Sequence, residues 1–174
     1  MQNPLKVLVG SAAVVVVGLG AAVLATSAPL QAQPLIQKSI SLQQAIQVVK
    51  AAMAECAKDG SVISITVVDR DGEVRFAVRA TGANPHNFEL SRRKAYTART
   101  FRQPSSQFIA KSAPDQELFG QRMLPGVIPL GGGMPIMIGQ DAIGAVGISG
   151  AKGGQVAEEA CGKAGIAAIQ AQLS

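Results

Sequence analysis

His86 is the single histidine of the chain and Tyr96 the single tyrosine, and the bases Arg92, Arg93 and Lys94 lie between them. Four of the five phenylalanines, Phe88, Phe101, Phe108 and Phe119, fall between positions 88 and 119. This set suits a flat, apolar ligand with acid groups: aromatic walls for its faces, cationic donors for its carboxylates, and an imidazole for a metal at its centre. The same residues have plainer uses. Bases on a helix commonly form a solvated face, aromatic side chains fill cores, and a histidine near a helix start is commonly just exposed. As an enzyme the chain would use His86 or Glu89 as base and the arginines to hold a carboxylate, but one imidazole without a nucleophile and base pair is a thin catalytic set. Glu158 and Glu159 could take a surface metal, although a solvated pair near the positive end of a helix dipole explains them more simply.

The elements that must carry these side chains follow from periodicity. Residues 86–103, after the turn Gly82-Ala83-Asn84-Pro85, read as a helix in which Arg92, Arg99 and Arg102 fall near one stripe, with Arg93 and Lys94 beside it. Upstream, Leu42, Ala45, Ile46, Val49, Met53 and Cys56 recur at helical intervals, with Ser41 as N-cap and Gly60 as stop. The β-branched run Val62 to Val68, the turn Asp69-Arg70-Asp71-Gly72 and the segment Val74 to Arg79 form a hairpin. In its second strand Arg75 and Arg79 share one parity and Val74, Phe76 and Val78 the other, which predicts one wet and one buried face. Ser112 to Gln116 reads as a turn and Glu117 to Leu124 as a short helix.

Gly126 to Gly150 is the stretch around which the rest is arranged: two apolar strands, Met134 to Ile138 and Ala142 to Ser149, turn at Gly139-Gln140-Asp141. Gly131, Gly132 and Gly133 ahead of them either line a ligand pocket with bare backbone or make a tight connection. Gly153 to Gln170 closes the chain as a helix with Val156, Ala160, Cys161, Ala164 and Ala168 along one side. The order predicts an α+β domain with an antiparallel sheet and its terminal helices together on one face, an arrangement in which Cys56 and Cys161 could meet.

Val7 to Leu24 carries no charge, follows Lys6 and precedes a small, polar run, the pattern of an export signal with a cut after Ala32. The run is also just long enough to serve as an uncleaved N-terminal anchor. Residues 1–32 are thus read as signal peptide or anchor, and residues 33–174 as one domain in the periplasm or outside the cell. The formal charge is +5, and the leader holds one of these bases, Lys6, which leaves +4 on the domain. That excess favours anionic small molecules or surfaces. Nucleic acid is disfavoured, because no run of five bases and no stacking surface is present. Cys56 and Cys161 fit no metal-site spacing; in an oxidising compartment they pair, or else they are two buried thiols.

The segments SITVVDRDGEV, SRRKAYTARTFRQPS, LGGGMPIMI and IGAVGISGAKGGQVAEEACGKAG together resemble the GlcG/HbpS family of heme-binding proteins, to which the PduO C-terminal domain is related. The resemblance runs from about Leu42 to Ala168, and the GAVGISG segment leading into Glu-Ala-Cys is its most specific part. It implies a five-stranded antiparallel sheet flanked by helices, assembly into a homo-oligomer and, in some members, bound heme. Pro85-His86 ahead of the SRRKA helix matches a pattern of exported relatives. On that resemblance His86 is the expected axial metal ligand, Arg92, Arg93 and Lys94 pair with propionates, and Tyr96 is an alternative iron ligand. No second histidine exists, so coordination by two would need a symmetry mate. The implied function is an exported heme-binding protein for scavenging, storage or sensing. The other readings are a small-molecule enzyme (an isomerase or a hydroxy-acid pathway accessory) and a non-catalytic oligomeric interaction protein.

Overall fold

Ser41 starts the first helix as the sequence requires: its hydroxyl accepts from the Gln44 N–H while the Gln44 side chain accepts from the Ser41 N–H, a reciprocal capping box. The computed structural model describes residues 35–173, so the expected leader lies outside the described residues. Helix α1 spans Leu42–Ala57, followed by strands β1 (Ser64–Asp69) and β2 (Val74–Arg79). Helices α2 (Pro85–Phe101) and α3 (Ser105–Lys111) come next, then a 3-10 turn at Phe119–Met123. Strands β3 (Gly133–Ile138) and β4 (Asp141–Ser149) form the second hairpin, and α4 (Gly154–Ala167) closes the fold.

The α+β architecture with an antiparallel sheet flanked by helices is as expected, but the sheet has four strands among the described residues, in the order β2-β1-β4-β3. The fifth strand that the resemblance implies does not form among the described residues, and the extended segment before α1 is held by isolated bonds instead of a ladder. Ile40 donates its N–H to Ile143 O, and Arg70 takes up Ser39, Gln37 and the Lys38 carbonyl. Ile143 lies one residue beyond the end of the β1–β4 ladder, at a slip in the β3–β4 register from Ile136 opposite Gly144 to Met137 opposite Ala142.

The two central strands divide two unequal layers. One face, bearing Ile65, Val67, Val146 and Ile148, packs against α1 and α4 in a large aliphatic core. These terminal helices share that face, as predicted, and are joined by a disulfide between Cys56 and Cys161 with Cα atoms 5.6 Å apart. The opposite face is lined by small groups, Val68 and Ala145, on which Ala95 and Ala98 of α2 rest. Here the helix comes so close to the sheet that a Cβ on Gly147 would strike Ser91 O and Ala95 N, and one on Gly133 would strike Lys94 O. Glycine at these two positions is required by that approach.

Three apolar stripes differ from expectation. In α1 the buried set is Ala45, Val48, Val49, Ala52 and Cys56, and Leu42 at the start of the first turn is exposed. In α4, Val156 is 83% exposed, and the buried residues are Glu158, Cys161, Gly162 and Gly165. In β2, Phe76 and Val78 lean on the core but Val74 does not, since β2 is an edge strand reaching past its cover.

Candidate ligand-binding site

Helix α2 is the element that carries the candidate residues. Its buried side consists of Asn87, Ser91, Lys94, Ala95, Thr97 and Ala98, and this fixes where the rest must point. Spacings of three, seven and ten residues put His86, Glu89, Arg93 and Tyr96 along one flank, while Arg92 and Arg99, seven apart, form the adjoining stripe, within reach of Glu89. His86 sits in the first turn with its side chain exposed. Phe88, two residues on, is 41% exposed.

Further along the first flank, the ring of Tyr96 lies between two glycines. A Cβ on Gly72 would meet its edge at 2.8 Å and one on Gly126 would meet the opposite edge at 3.2 Å. The strap from Gly126 to Ile128 is tied to α2 by Arg93 Nη2, which donates to Val127 O at 2.5 Å, and by Thr97 Oγ1, which accepts from Ile128 N at 2.9 Å. Arg93 Nε is buried and has no hydrogen-bond partner among the described residues.

Glu89 gives both carboxylate oxygens to Arg92, at 2.9 and 2.7 Å. The Arg92 guanidinium holds that carboxyl below its ordinary range, despite some opposing burial, and the arginine is raised in turn. A carboxylate so committed is a poor general base at neutral pH, which weakens the enzymatic reading.

Lys94 does not face a ligand. Its ammonium lies 2.7 Å from Glu158 Oε2, with side chains 4% and 6% exposed, and also donates to Ile148 O at 3.2 Å. The other Glu158 oxygen accepts from Gly150 N at 2.8 Å. The expectation that Glu158 and Glu159 form a solvated pair fails on the same geometry: Glu158 is buried, and Glu159 Oε1 accepts from Ser106 N and Gly132 N at 3.3 and 3.4 Å. Gly131, Gly132 and Gly133 are buried and line neither of the concavities described below. They form the tight connection, with N–H groups taken by Gln155, Glu159 and Ser105.

Nor do the aromatic rings assemble into one wall. Phe101 and Phe108 stack on each other, centroids 4.2 Å apart, and pin α3 to the end of α2, while Arg122 lies over Phe119. Two concavities of about 320 Å³ lie elsewhere, one lined by Lys111, Gln116, Glu117 and Leu118, the other by residues including Gln37, Ser39, Ile138 and Gln172. His86 lines neither. Among the described residues no group of three or more His, Cys, Asp or Glu side chains could hold a metal ion, and no helix is long and apolar enough to cross a membrane. The strap from Gly126 to Ile128 thus meets Arg93, Tyr96 and Thr97, and Glu89 pairs with Arg92, while His86 stands exposed in the first turn of α2. Lys94 and the three glycines belong to the interior.

Sequence reasoning missed the ion pair between Arg70 and Asp141, whose oxygens take both Nη atoms at 2.7 and 2.9 Å. Each residue read only as part of a turn, and a separation of 71 positions carries no local signal. Asp69 was legible in principle. Asp-x-Asp-Gly is an Asx-turn pattern, and its carboxylate accepts from the N–H groups of Asp71 and Glu73 while pairing with Arg75.

A four-stranded antiparallel sheet, covered by paired terminal helices on one face and one base-rich helix on the other, defines an α+β protein whose available polar chemistry lies along α2. Residues 40–167 match the family described as "Haem degrading protein HbpS-like", and the chain belongs to that family. It is similar in structure to a double mutant of HbpS from Streptomyces reticuli, with TM-score 0.73 and 29% identity over 82% of this chain and 97% of that one. A PduOC:heme complex is similar with TM-score 0.69 and 25% identity, covering 75% of this chain and 95% of that one. ORFY of Klebsiella pneumoniae shares the fold, with TM-score 0.75 at 24% identity over 82% of this chain and 98% of its own. In sequence, an uncharacterised 15.0 kDa protein of Citrobacter freundii from the dhaT-dhaS intergenic region is 29% identical over 114 residues, covering 64% of this chain and 80% of that protein.

Proposed function

We propose that this protein is an exported heme-binding protein in which the neutral imidazole of His86 is the axial ligand to the iron. The observation that carries the reading is the His86 side chain itself, exposed on the open first turn of α2 in a chain of the HbpS-like family. Arg92 and Arg93 are the proposed partners of the propionates, Arg92 in exchange for its bond to Glu89, and Tyr96 is the alternative ligand further along the same flank. The residues fit heme only in part, because Lys94 and the three glycines are committed to the interior. A porphyrin gains most of its affinity from burial of its faces, and neither of the two concavities described above reaches His86. The site is therefore completed between copies, which is consistent with the expected homo-oligomer.

Pairing of Cys56 with Cys161 supports export, since such bonds persist in the periplasm or outside the cell and are rare in the cytosol. Residues 1–32 are the leader, cut after Ala32 or kept as an anchor. An intact mass of protein taken from its own envelope separates these.

Hemin titrated into the purified protein is expected to give a Soret band distinct from that of free hemin. His86→Ala should shift that band without changing far-ultraviolet circular dichroism, because the replaced ring is exposed. Tyr96→Phe should leave it in place. An identical spectrum for His86→Ala removes His86 from the iron, and no Soret change in the parent protein removes heme altogether. Light scattering that finds only monomer, with and without hemin, contradicts a site shared between copies.

A further inference from the structure

Three guanidinium groups gather where β1 ends, β4 begins and α2 stops. Ala95 and Ala98 rest on Val68 and Ala145, so the following turn of α2 carries Arg99 and Arg102 toward the sheet end that holds Arg70 and Asp141. Arg70 uses four of its five N–H donors: both Nη atoms bond Asp141, Nη1 also reaches Lys38 O at 3.0 Å, and Nε bonds Gln37 Oε1 at 3.0 Å. Asp141 is likewise spent on Arg70.

The other two arginines are not matched in this way. Neither Arg99 nor Arg102 forms an ion pair among the described residues. The Arg99 Nε is buried and has no hydrogen-bond partner there. Arg102 closes the helix in a left-handed conformation, φ 54°, that a residue with a side chain rarely adopts. Burial, and after it the nearby charges of Arg70 and Arg102, push the Arg99 guanidinium below its ordinary pKa. Asp141 and Asp71 offset this only in part. A half-buried guanidinium crowded by like charges, with its acceptors already used, is complementary to an oxyanion that offers two oxygens to its planar fork.

We propose that Arg99 and Arg102, backed by Arg70, form a binding site for a small multivalent oxyanion, a di- or tricarboxylate or a phosphate. Arg99 lies 13 residues along the helix from His86, a rise of about 20 Å, so the site is separate from the proposed heme position and does not depend on it.

The test uses the full chain and two probes, citrate and inorganic phosphate, each titrated calorimetrically and by thermal unfolding at ionic strength held constant with sodium chloride. At least one probe is expected to bind saturably and to raise the melting temperature. Arg99→Gln combined with Arg102→Gln should weaken that binding by about tenfold or more, while Arg99→Lys, which keeps the charge and loses the fork, should fall between. Arg122→Gln, which alters a guanidinium over Phe119, should bind like the parent. Binding of citrate alone identifies a carboxylate ligand, and binding of phosphate alone a phosphoryl one. The site is overturned if neither probe binds saturably, or if the double variant, folded by circular dichroism, binds as the parent does. Hemin binding should be unchanged in the double variant, so this proposal and the heme reading fail independently.

Discussion

Replacing Lys94 with Met tests the claim that this lysine is an interior element and not a ligand-facing one. The perturbation removes an ammonium whose neighbours are Glu158 at 2.7 Å and Ile148 O at 3.2 Å, at a place where both charged side chains are at most 6% exposed. The Glu158 carboxylate would keep only the Gly150 N–H on its second oxygen. Removing one partner of a buried pair costs about 3–5 kcal/mol, because the remaining charge stays desolvated. Against a total stability of about 5–15 kcal/mol that is a large fraction. For a domain of this size it lowers the melting temperature by roughly 10 °C. Replacing both partners, Lys94→Met with Glu158→Leu, should cost less than either single change, since no charge is left buried. Urea unfolding of the two single variants, the double and the parent measures this directly. A Lys94→Met loss below about 1 kcal/mol, or single effects that simply add, would refute the reasoning. Hemin affinity measured well below the lowered melting temperature should be unaffected by Lys94→Met.

Reducing the Cys56–Cys161 bridge reopens a loop of 105 residues, and the chain-entropy model puts the loss near 4.7 kcal/mol as an upper figure; denaturant midpoints with and without reductant check it. The mass of unreduced protein should lack the pair of thiol hydrogens, and two free thiols would rule out the bond. Gly147→Ala drives a methyl into Ser91 O and Ala95 N and should cost about 3 kcal/mol or more, whereas Gly139→Ala, with φ 58° and open space at its Cβ, should cost about 1 kcal/mol. Equal midpoints for these two variants would contradict the close approach of α2. Asp141 is held below its ordinary value of 3.8, first by its hydrogen bonds to Arg70. A lowered folded-state pKa contributes stability that is complete above 3.8 and is lost as pH falls through the folded value, so Asp141→Asn should flatten the acid limb of stability below about pH 4. An acid limb identical to the parent's would remove Asp141 from that role.

What could be read from the chain, and what could not, divides along the range of the interactions. The Ser41 cap, the β1–β2 hairpin and the turn after β3 are written in a few adjacent residues, and all formed where expected. Val156 and Leu42 were placed in buried stripes because helical periodicity gives a face but not the partner that covers it; a neighbouring element decides. The buried state of Lys94 and Glu158 depends on bringing α2 and α4 together across 64 positions, and charged residues read as solvated until that happens. The triple glycine was visible but ambiguous. Only the position of Lys94 O shows that Gly133 serves a backbone crossing instead of a pocket.

That crossing also accounts for where ligand chemistry is available on this fold. Because α2 meets the sheet through Ser91, Ala95 and Gly147, no long side chain fits beneath it, and every large or charged residue of the helix except Lys94 is driven to its flanks. The Ser91 and Thr66 hydroxyls, 2.8 Å apart, add a buried polar tie on the same floor. Stability and recognition are thus separated on one helix. Changes at the floor should unfold the protein, as Gly147→Ala is expected to do, while changes at His86, Arg92 or Arg99 should leave it folded. Loss of hemin or anion binding in a flank variant can therefore be assigned to the lost side chain. Destabilisation by His86→Ala and Arg99→Gln as severe as that by Gly147→Ala would overturn this separation, because the flanks would then be part of the packing.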